Sequence, residues 1–280
     1  MAIDIMCIGR EDLGKGTFIV LDIVETPEDI AWDFALTMAR IIKGNNEAGR
    51  RTTMIVPVGP TGQYRRLAAY CNAEGIHCNG LVLFNMDEYC FEDGTIIPVN
   101  HPMSFRAFME NEFHSRLDPD KRVRDENKVF PDPAAPEEMA KRIEAEDGID
   151  ICFGGIGING HIAFNEPPER GEEMSPEEFA ELPTRVLKLS RETRTINSVT
   201  VADGNMAIIP PTAVTVGMKE CLSAREIRLY ANRPWQRAVI RRVLHGDVTA
   251  KVPCSLVQTH PNASLTLTEF VAEPPRRRLA

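Results

Sequence analysis

The sequence has little that would suit a membrane, a nucleic acid or a metal. No apolar run in its 280 residues approaches the length of a membrane span, and the amino terminus lacks the basic and apolar regions of a signal peptide. The formal net charge of −9 argues against nucleic-acid binding, and the six histidines show no metal-ligand spacing. The seven cysteines are odd in number and lack C-x-x-C spacing, which indicates a reduced, cytoplasmic setting.

Apolar strand-like runs alternate with helical patterns along most of the chain. The run Thr26-Pro-Glu-Asp29 combines an N-cap, a proline at the first helical position and an acidic first turn, so it predicts a helix after the strand Phe18 to Val24. This rhythm predicts one doubly wound, mostly parallel α/β sheet with helices on both faces. We expect a single domain over residues 1–272 and a disordered tail over residues 273–280.

The densest glycine cluster follows a short apolar run, Ile149 to Phe153, that predicts a buried strand. Glycines allow positive φ and a close approach of the backbone to a ligand, and here they are Gly154, Gly155, Gly157 and Gly160. His161 and Glu166 come next, and an imidazole and a carboxylate on one loop can act as a proton-transfer pair. The alternative is a glycine-rich connection with a solvated histidine.

The same loop fits the dinucleotide-binding spacing G-x-G-x-x-G from Gly155 to Gly160. That fingerprint requires a helix to begin at the third glycine. Asn165, Pro167 and Pro168 prevent a long helix there, so we expect neither a nicotinamide nor a flavin cofactor.

A second buried-strand pattern begins at Gly80 and ends in Asp87 and Glu88. Open α/β sheets bind ligands at the carboxyl ends of their strands, which makes Asp87 a candidate base. The alternative role for these acids is an N-cap or a solvated turn. After a loop, His101-Pro-Met-Ser104-Phe resembles the start of a helix that runs to about Arg116.

Several motifs of the chain occur together, in this order, in the glucosamine-6-phosphate deaminase family, and the chain is similar to that family from about Thr17 to about Thr268. The motifs are Phe84-Asn-Met-Asp-Glu-Tyr89, His101-Pro-x-Ser-Phe105, Gly154-Gly-Ile-Gly-x-x-Gly-His-Ile-Ala-Phe-Asn-Glu-Pro167, Thr193-Arg-x-x-Asn-Ser198, Ala213-Val-Thr-Val-Gly217 and Gln258-Thr-His-Pro261. The resemblance implies a Rossmann-like fold of the deaminase/isomerase type and a homo-oligomer. It also implies an aldose–ketose isomerisation, without metal or cofactor, that releases ammonia from C2 of an amino-sugar phosphate.

The resemblance also implies residue roles. The residue that matches His161 opens the sugar ring with help from the one that matches Glu166, and the one that matches Asp87 moves a proton between C2 and C1. The family usually has Asp where this chain has Asn159. An amide can accept a hydrogen bond from the imidazole but brings no charge to stabilise its protonated form.

The part of the chain that matches the family's phosphate site also departs from its pattern. Pro60, Thr61 and Gly62 match the start of the phosphate loop, which here lacks several residues, and the glycines Gly155, Gly157 and Gly160 belong to the predicted binding loop. Val199 stands where the family has a phosphate-binding arginine. Arg237 matches the family's phosphate-binding lysine if one inserted residue is allowed. Further candidates for binding the anion are Arg65, Arg66, Arg185 and Arg194, although arginines are more often solvated.

These matches and departures favour a family member with an altered substrate preference. Two other functions stay open. Sugar-phosphate lactone hydrolases share the glycine-rich loop and its histidine, but we expect them to lack the Asn-Met-Asp-Glu-Tyr and Phe-Asn-Glu-Pro motifs. A catalytically weak sugar-binding or regulatory homologue would explain Asn159 and Val199, whereas the retention of Asp87, His161 and Glu166 argues for an enzyme.

Overall fold

A computed structural model describes residues 4–276 of the chain. The strands are β1 (Val20–Val24), β2 (Thr52–Val56), β3 (Leu81–Asn85), β4 (Asp87–Cys90), β5 (Lys128–Val129), β6 (Ile151–Gly155), β7 (Arg185–Lys188), β8 (Thr212–Thr215), β9 (Ile227–Ala231) and β10 (Ala263–Thr268). The α-helices are α1 (Pro27–Glu47), α2 (Gln63–Glu74), α3 (Phe105–Glu112), α4 (Glu138–Ala145), α5 (Pro176–Ala180), α6 (Arg191–Val201), α7 (Met218–Leu222), α8 (Arg237–His245) and α9 (Glu269–Ala272). Short 3₁₀ turns, among them Pro234–Gln236 and Pro253–Thr259, connect several of these elements.

The main sheet has seven strands in the order β1-β10-β9-β6-β2-β3-β5, and every pairing within it is parallel. Strands β2 and β3 are buried on both faces, as central strands of such a sheet must be. The predicted doubly wound, parallel α/β architecture is therefore confirmed.

Side chains of the central strands alternate between two apolar cores. Met54 and Val56 pack with α1 and α2, whereas Ile55 between them packs in the core that contains α4, α7 and α8. Helix α1 begins as predicted, because Thr26 accepts a hydrogen bond from the Asp29 N–H and the Asp29 side chain accepts one from the Thr26 N–H. The helix continues to Glu47.

A second, antiparallel sheet of three strands was not predicted. Its order is β4-β8-β7, and it has a small core of its own around Tyr89, Phe164 and Ala213. The sequence predicted that the strand from Gly80 would end at Asp87, and this was wrong. The parallel strand β3 ends at Asn85, and Asp87 is the first residue of β4 in the second sheet.

Most other predicted elements lie within a few residues of the observed ones. The predicted strand Ile149 to Phe153 is observed as β6, Ile151–Gly155, and residues 161–175 contain no helix after the glycine cluster, as predicted. Only residues 273–276 of the predicted disordered tail lie within the described part, and the single-domain organisation stays a prediction. No helix in residues 4–276 combines the length and apolar character needed to cross a membrane.

Candidate active site

An open cavity of about 240 Å³ lies where strands β2, β6 and β9 of the main sheet end. The beginning of β4 and the helices α3 and α6 form its other walls. Carboxyl ends of parallel strands are the usual ligand sites of such sheets. Its lining includes Pro60, Thr61, Asp87, Tyr89, Met103, Phe105, Gly155, Gly157, His161, Asn197, Thr200, Val201, Asn232, Arg233 and Trp235.

Asp87 and His161 line this one cavity, as a shared role on one sugar requires. Asp87 is only 7% exposed. Burial, followed by the negative charge of Glu88, raises the pKa of Asp87 from 3.8 to about 8, although a hydrogen bond with Thr215 acts in the opposite direction. A carboxyl group with a pKa near neutrality can both accept and return a proton.

Glu88 points away from the cavity and is fully buried. Neighbouring side chains of a strand point to opposite faces, so Asp87 and Tyr89 face the cavity whereas Glu88 does not. Its carboxylate accepts hydrogen bonds from the Phe105 and Arg106 N–H groups, each at 3.0 Å, and from the Arg106 Nε at 3.1 Å. Glu88 therefore fixes the first turn of α3, which contributes Phe105 to the cavity.

Asn159 stands between His161 and Glu166. Its Nδ2 donates to Glu166 Oε2 at 2.5 Å, which leaves the amide oxygen 2.8 Å from His161 Nδ1. Because an amide oxygen can only accept, Nδ1 of His161 carries a proton and Nε2 is left as an acceptor. Glu166 Oε2 also lies 3.8 Å from Nδ1, so its charge acts on the imidazole directly, in addition to orienting the amide.

The charge of Glu166 is well stabilised in this network. Burial acts to raise the pKa of Glu166, but the nearby imidazole of His161, together with hydrogen bonds from Thr193 and Asn159, outweighs burial and lowers the pKa to about 2. The Ser190 N–H also donates to Glu166 at 3.2 Å. Glu166 therefore stays ionised at neutral pH and orients the amide that contacts the imidazole.

At two of the predicted glycines, Gly157 and Gly160, a side chain would clash with neighbouring residues. A Cβ at Gly157 would lie 2.2 Å from the His161 ring, so no other residue leaves room for the imidazole. Gly160 has φ +89° and lies against Val252, outside the cavity, where it turns the chain toward His161. Gly155 lines the cavity and lies next to the Gly59 carbonyl.

The predicted anion-binding residues divide into two groups. Pro60 and Thr61 line the cavity. Gly62 is the N-cap of α2, and its carbonyl accepts a hydrogen bond from the Arg66 guanidinium. Val199 is 60% exposed and lies outside the cavity. The next two residues of the same helix, Thr200 and Val201, line the cavity.

The arginines that the sequence proposed do not line the cavity. The Nε of Arg237 instead donates to the Phe270 carbonyl at 2.6 Å, on the side of α9, so the prediction that Arg237 faces the anion does not fit the structure. The four further candidates bind other partners: Arg65 pairs with Glu112, Arg66 with Glu28, Arg185 with Asn165, and Arg194 with the Ile209 carbonyl.

Sequence reasoning missed Arg233 and Trp235. Arg233 is the one lysine or arginine among the lining residues of the described chain, and Trp235 lies beside it in the same turn. A usable signal was present, because Asn232 and Arg233 directly follow the strand-like run Ile227 to Ala231, and ligands bind at the carboxyl ends of such strands.

Comparisons with known proteins identify relatives of the whole chain. No protein-family model matches the chain. The chain is 30% identical to the glucosamine-6-phosphate deaminase of Aeromonas hydrophila over 246 residues, which cover 85% of each protein. It is 34% identical to that of Shewanella loihica over 219 residues, which cover 76% of this chain and 74% of the relative.

Solved structures show the same fold. A monomeric glucosamine-6-phosphate deaminase superposes with a TM-score of 0.76 at 23% identity, over 91% of this chain and 99% of that chain. The 6-phosphogluconolactonase of Thermotoga maritima superposes with a TM-score of 0.63 at 15% identity, over 90% of this chain and all of that chain. The identity and coverage of the sequence relatives show that this chain belongs to the glucosamine-6-phosphate deaminase family.

Proposed function

We propose that the protein converts a 2-amino-2-deoxy aldose 6-phosphate, glucosamine 6-phosphate or a relative, to the ketose 6-phosphate and ammonia. The observation that carries this proposal is that Asp87 and His161 face one cavity at the carboxyl edge of the sheet. Membership of the deaminase family supports it. Asp87, His161, Glu166 and Asn159 have the following roles in the proposal.

His161 opens the sugar ring. Its Nε2 takes the proton of the C1 hydroxyl and delivers a proton to the ring oxygen as the bond between C1 and that oxygen breaks. Asn159 holds the Nδ1 proton throughout, and Glu166 fixes the amide of Asn159. Because the amide is neutral, the protonated imidazole receives less stabilisation than a carboxylate at this position would give.

Asp87 then moves a proton from C2 to C1 of the open aldose. Removal of the C2 proton by Asp87 moves the bonding electrons into a C1–C2 double bond, and the aldehyde oxygen takes a proton from solvent. Return of the Asp87 proton to C1 leaves a protonated imine at C2, which water hydrolyses to the ketone and ammonium, that is, ammonia and the proton taken from solvent. The first transfer needs the ionised carboxylate, so the raised pKa of Asp87 limits activity below about pH 8.

An ammonia-coupled assay tests the proposal. Glucosamine, galactosamine and mannosamine, each with and without a 6-phosphate, are offered to the purified protein, and 6-phosphogluconolactone is offered in a separate assay. We expect ammonia from at least one amino sugar and none after Asp87→Asn. Sugar binding without any ammonia would support a regulatory protein, and lactone hydrolysis alone would support the lactonase alternative.

We also propose that the protein is a cytoplasmic homo-oligomer. The resemblance to a family with oligomeric members supports assembly, whereas the superposed deaminase structure is of a monomer, so the family contains both states. The buried thiols of Cys71, Cys78, Cys90, Cys152, Cys221 and Cys254 suit a reducing compartment. Light scattering on the eluting protein tests the assembly, and a monomer mass at micromolar concentration would contradict it.

A further inference from the structure

Helix α6 runs from the catalytic network along one wall of the cavity. Near its start, the Thr193 hydroxyl lies 3.3 Å from His161 Nδ1. Asn197 follows four residues later and lines the cavity, so it lies on the same face of the helix, one turn, or about 5–6 Å, further along. This distance is comparable to the width of a pyranose ring, so a sugar with C1 at His161 can also contact Asn197.

Within residues 4–276, the side-chain amide of Asn197 uses one of its two polar atoms. Its Nδ2 donates to Tyr89 Oη at 3.0 Å, and no described residue donates to its Oδ1. The Tyr89 ring is itself fixed, because it packs against Phe105 and Phe164 with ring centroids 4.9 and 5.4 Å away. Asn197 is half-buried at the cavity, so its amide oxygen is open to an N–H or O–H donor of a ligand.

The wall around Asn197 offers a sugar little else to bind. The Thr200 hydroxyl is tied to the helix, because it donates to a backbone carbonyl of α6 at 2.9 Å. The neighbouring lining side chains are apolar, namely Met103, Phe105 and Val201. A sugar hydroxyl or amine that leaves water for an apolar wall loses free energy unless it finds a partner there. The Asn197 amide oxygen supplies such a partner.

We propose that Asn197 is a specificity-determining residue of the cavity, and that its amide oxygen accepts a hydrogen bond from a donor on the sugar ring, the C3 or C4 hydroxyl or the C2 amine. The assignment rests on the proposed deaminase function, because it takes a hexosamine as the ligand. Tyr89 is a positioning residue, since it binds Nδ2 and thereby fixes the orientation of the amide. A sugar without the donor leaves the amide oxygen unpaired, and a site built for a hydrogen bond rejects such a ligand.

A comparison of sugars that each lack one donor tests this contact. Asp87→Asn stops turnover, so calorimetry on that variant measures affinity alone. The ligands are glucosamine 6-phosphate, its 3-deoxy and 4-deoxy analogues, and 2-deoxyglucose 6-phosphate, which lacks the amine. Each is titrated into Asp87→Asn with and without Asn197→Leu, Tyr89→Phe or Thr195→Val. Thr195 is exposed on α6 outside the cavity, so Thr195→Val is a matched exchange of a polar for an apolar side chain.

We expect Asn197→Leu to weaken the binding of glucosamine 6-phosphate about 5- to 30-fold, because a donor of the sugar loses its partner. For the one ligand that already lacks this donor, Asn197→Leu should change the affinity less than about twofold. Tyr89→Phe should show the same pattern with a smaller loss, and Thr195→Val should bind as its parent does. In proteins that retain Asp87, kcat/KM for ammonia release from the amino sugars should follow the same order.

An equal loss for all four ligands in Asn197→Leu would overturn the assignment, because Asn197 would then support the shape of the wall rather than bind the sugar. No loss for any ligand would overturn it as well.

Failure of the deaminase function would give a different result. If the wild type releases no ammonia but one of the ligands is insensitive to Asn197→Leu while the others are weakened, the reaction is wrong and the contact stands. If ammonia is released and Asn197→Leu weakens all four ligands equally, the reaction stands and the contact is wrong.

Discussion

Asp87→Asn should stabilise the folded protein at pH 8 while it removes activity. The pKa of Asp87 is about 8 in the fold, compared with 3.8 ordinarily, because burial and Glu88 disfavour its charged form. A neutral amide of the same shape avoids this cost. The substitution removes the base that acts on C2, so ammonia release should fall by about 10²- to 10⁴-fold.

The magnitude follows from the difference between the two pKa values. Each pKa unit corresponds to about 1.4 kcal/mol, so about four units set an upper limit of about 6 kcal/mol. The carboxyl retains 7% exposure at an open cavity, where water stabilises part of its charge. We therefore expect about half the limit, roughly 2–3 kcal/mol, or an increase in Tm of about 4–8 °C.

The pH dependence is the sharper part of this prediction. Above about pH 4 the unfolded chain releases the Asp87 proton while the folded chain keeps it, so the wild type loses stability as the pH rises toward 8. The gain from Asp87→Asn should be absent below pH 4, should grow up to about pH 8 and should stay constant above it. Thermal or urea unfolding at several pH values measures it, with exposed Glu92→Gln as the control. A gain that does not change with pH, or a loss at pH 8, would refute this account of Asp87.

Three further substitutions test the rest of the site. Asn159→Asp places a carboxylate beside the His161 Nδ1, so turnover of closed-ring substrates at pH 8 should rise about tenfold; unchanged kinetics would mean that ring opening is not slow. Glu88→Gln removes a charge that raises the pKa of Asp87, so the rise of kcat/KM with pH should move to lower pH. The loss of charged hydrogen bonds to α3 should also cost about 1–3 kcal/mol of unfolding free energy. A pH profile identical to that of the wild type would contradict this coupling. Gly157→Ala forces the His161 imidazole to move and should lower kcat about 100-fold in a folded protein. The control is Gly44→Ala, on the open surface of α1, which should have no effect on kcat. Normal activity of the Gly157 variant would show that the ring is free to shift.

The sequence predicted the parallel sheet well because its strands have strong local signals. The runs that end at Val24, Val56 and Thr268 are apolar and bounded by turn or cap residues, so each can be recognised alone. The antiparallel sheet gives no such signal. Its strands have four residues each, and β4 pairs with β8 more than 100 residues away, so tertiary contacts rather than local pattern determine it.

The site residues also differ in whether a local sequence pattern or the tertiary structure identifies them. Asp87, His161 and Glu166 belong to contiguous motifs, and the structure brings the first two to one cavity and connects the third through Asn159. The position of a cation after β9 depends on the length and shape of a turn. The 3₁₀ turn Pro234–Gln236 comes between the strand and α8, and it places Arg233, which lines the cavity, four positions before the aligned Arg237, which does not.

Asp87 and Glu88 have different roles because successive side chains of β4 point to opposite faces of the strand. Asp87 faces the cavity, and Glu88 accepts hydrogen bonds from the first turn of α3 on the other side of the strand. The double substitution Asp87→Glu with Glu88→Asp keeps composition and charge. It lengthens the side chain that faces the cavity by one methylene and shortens the side chain that binds α3 by one. An insertion of one residue before this dipeptide would reverse which acid points forward. The roles of the two acids therefore depend on the register of β4 against β8.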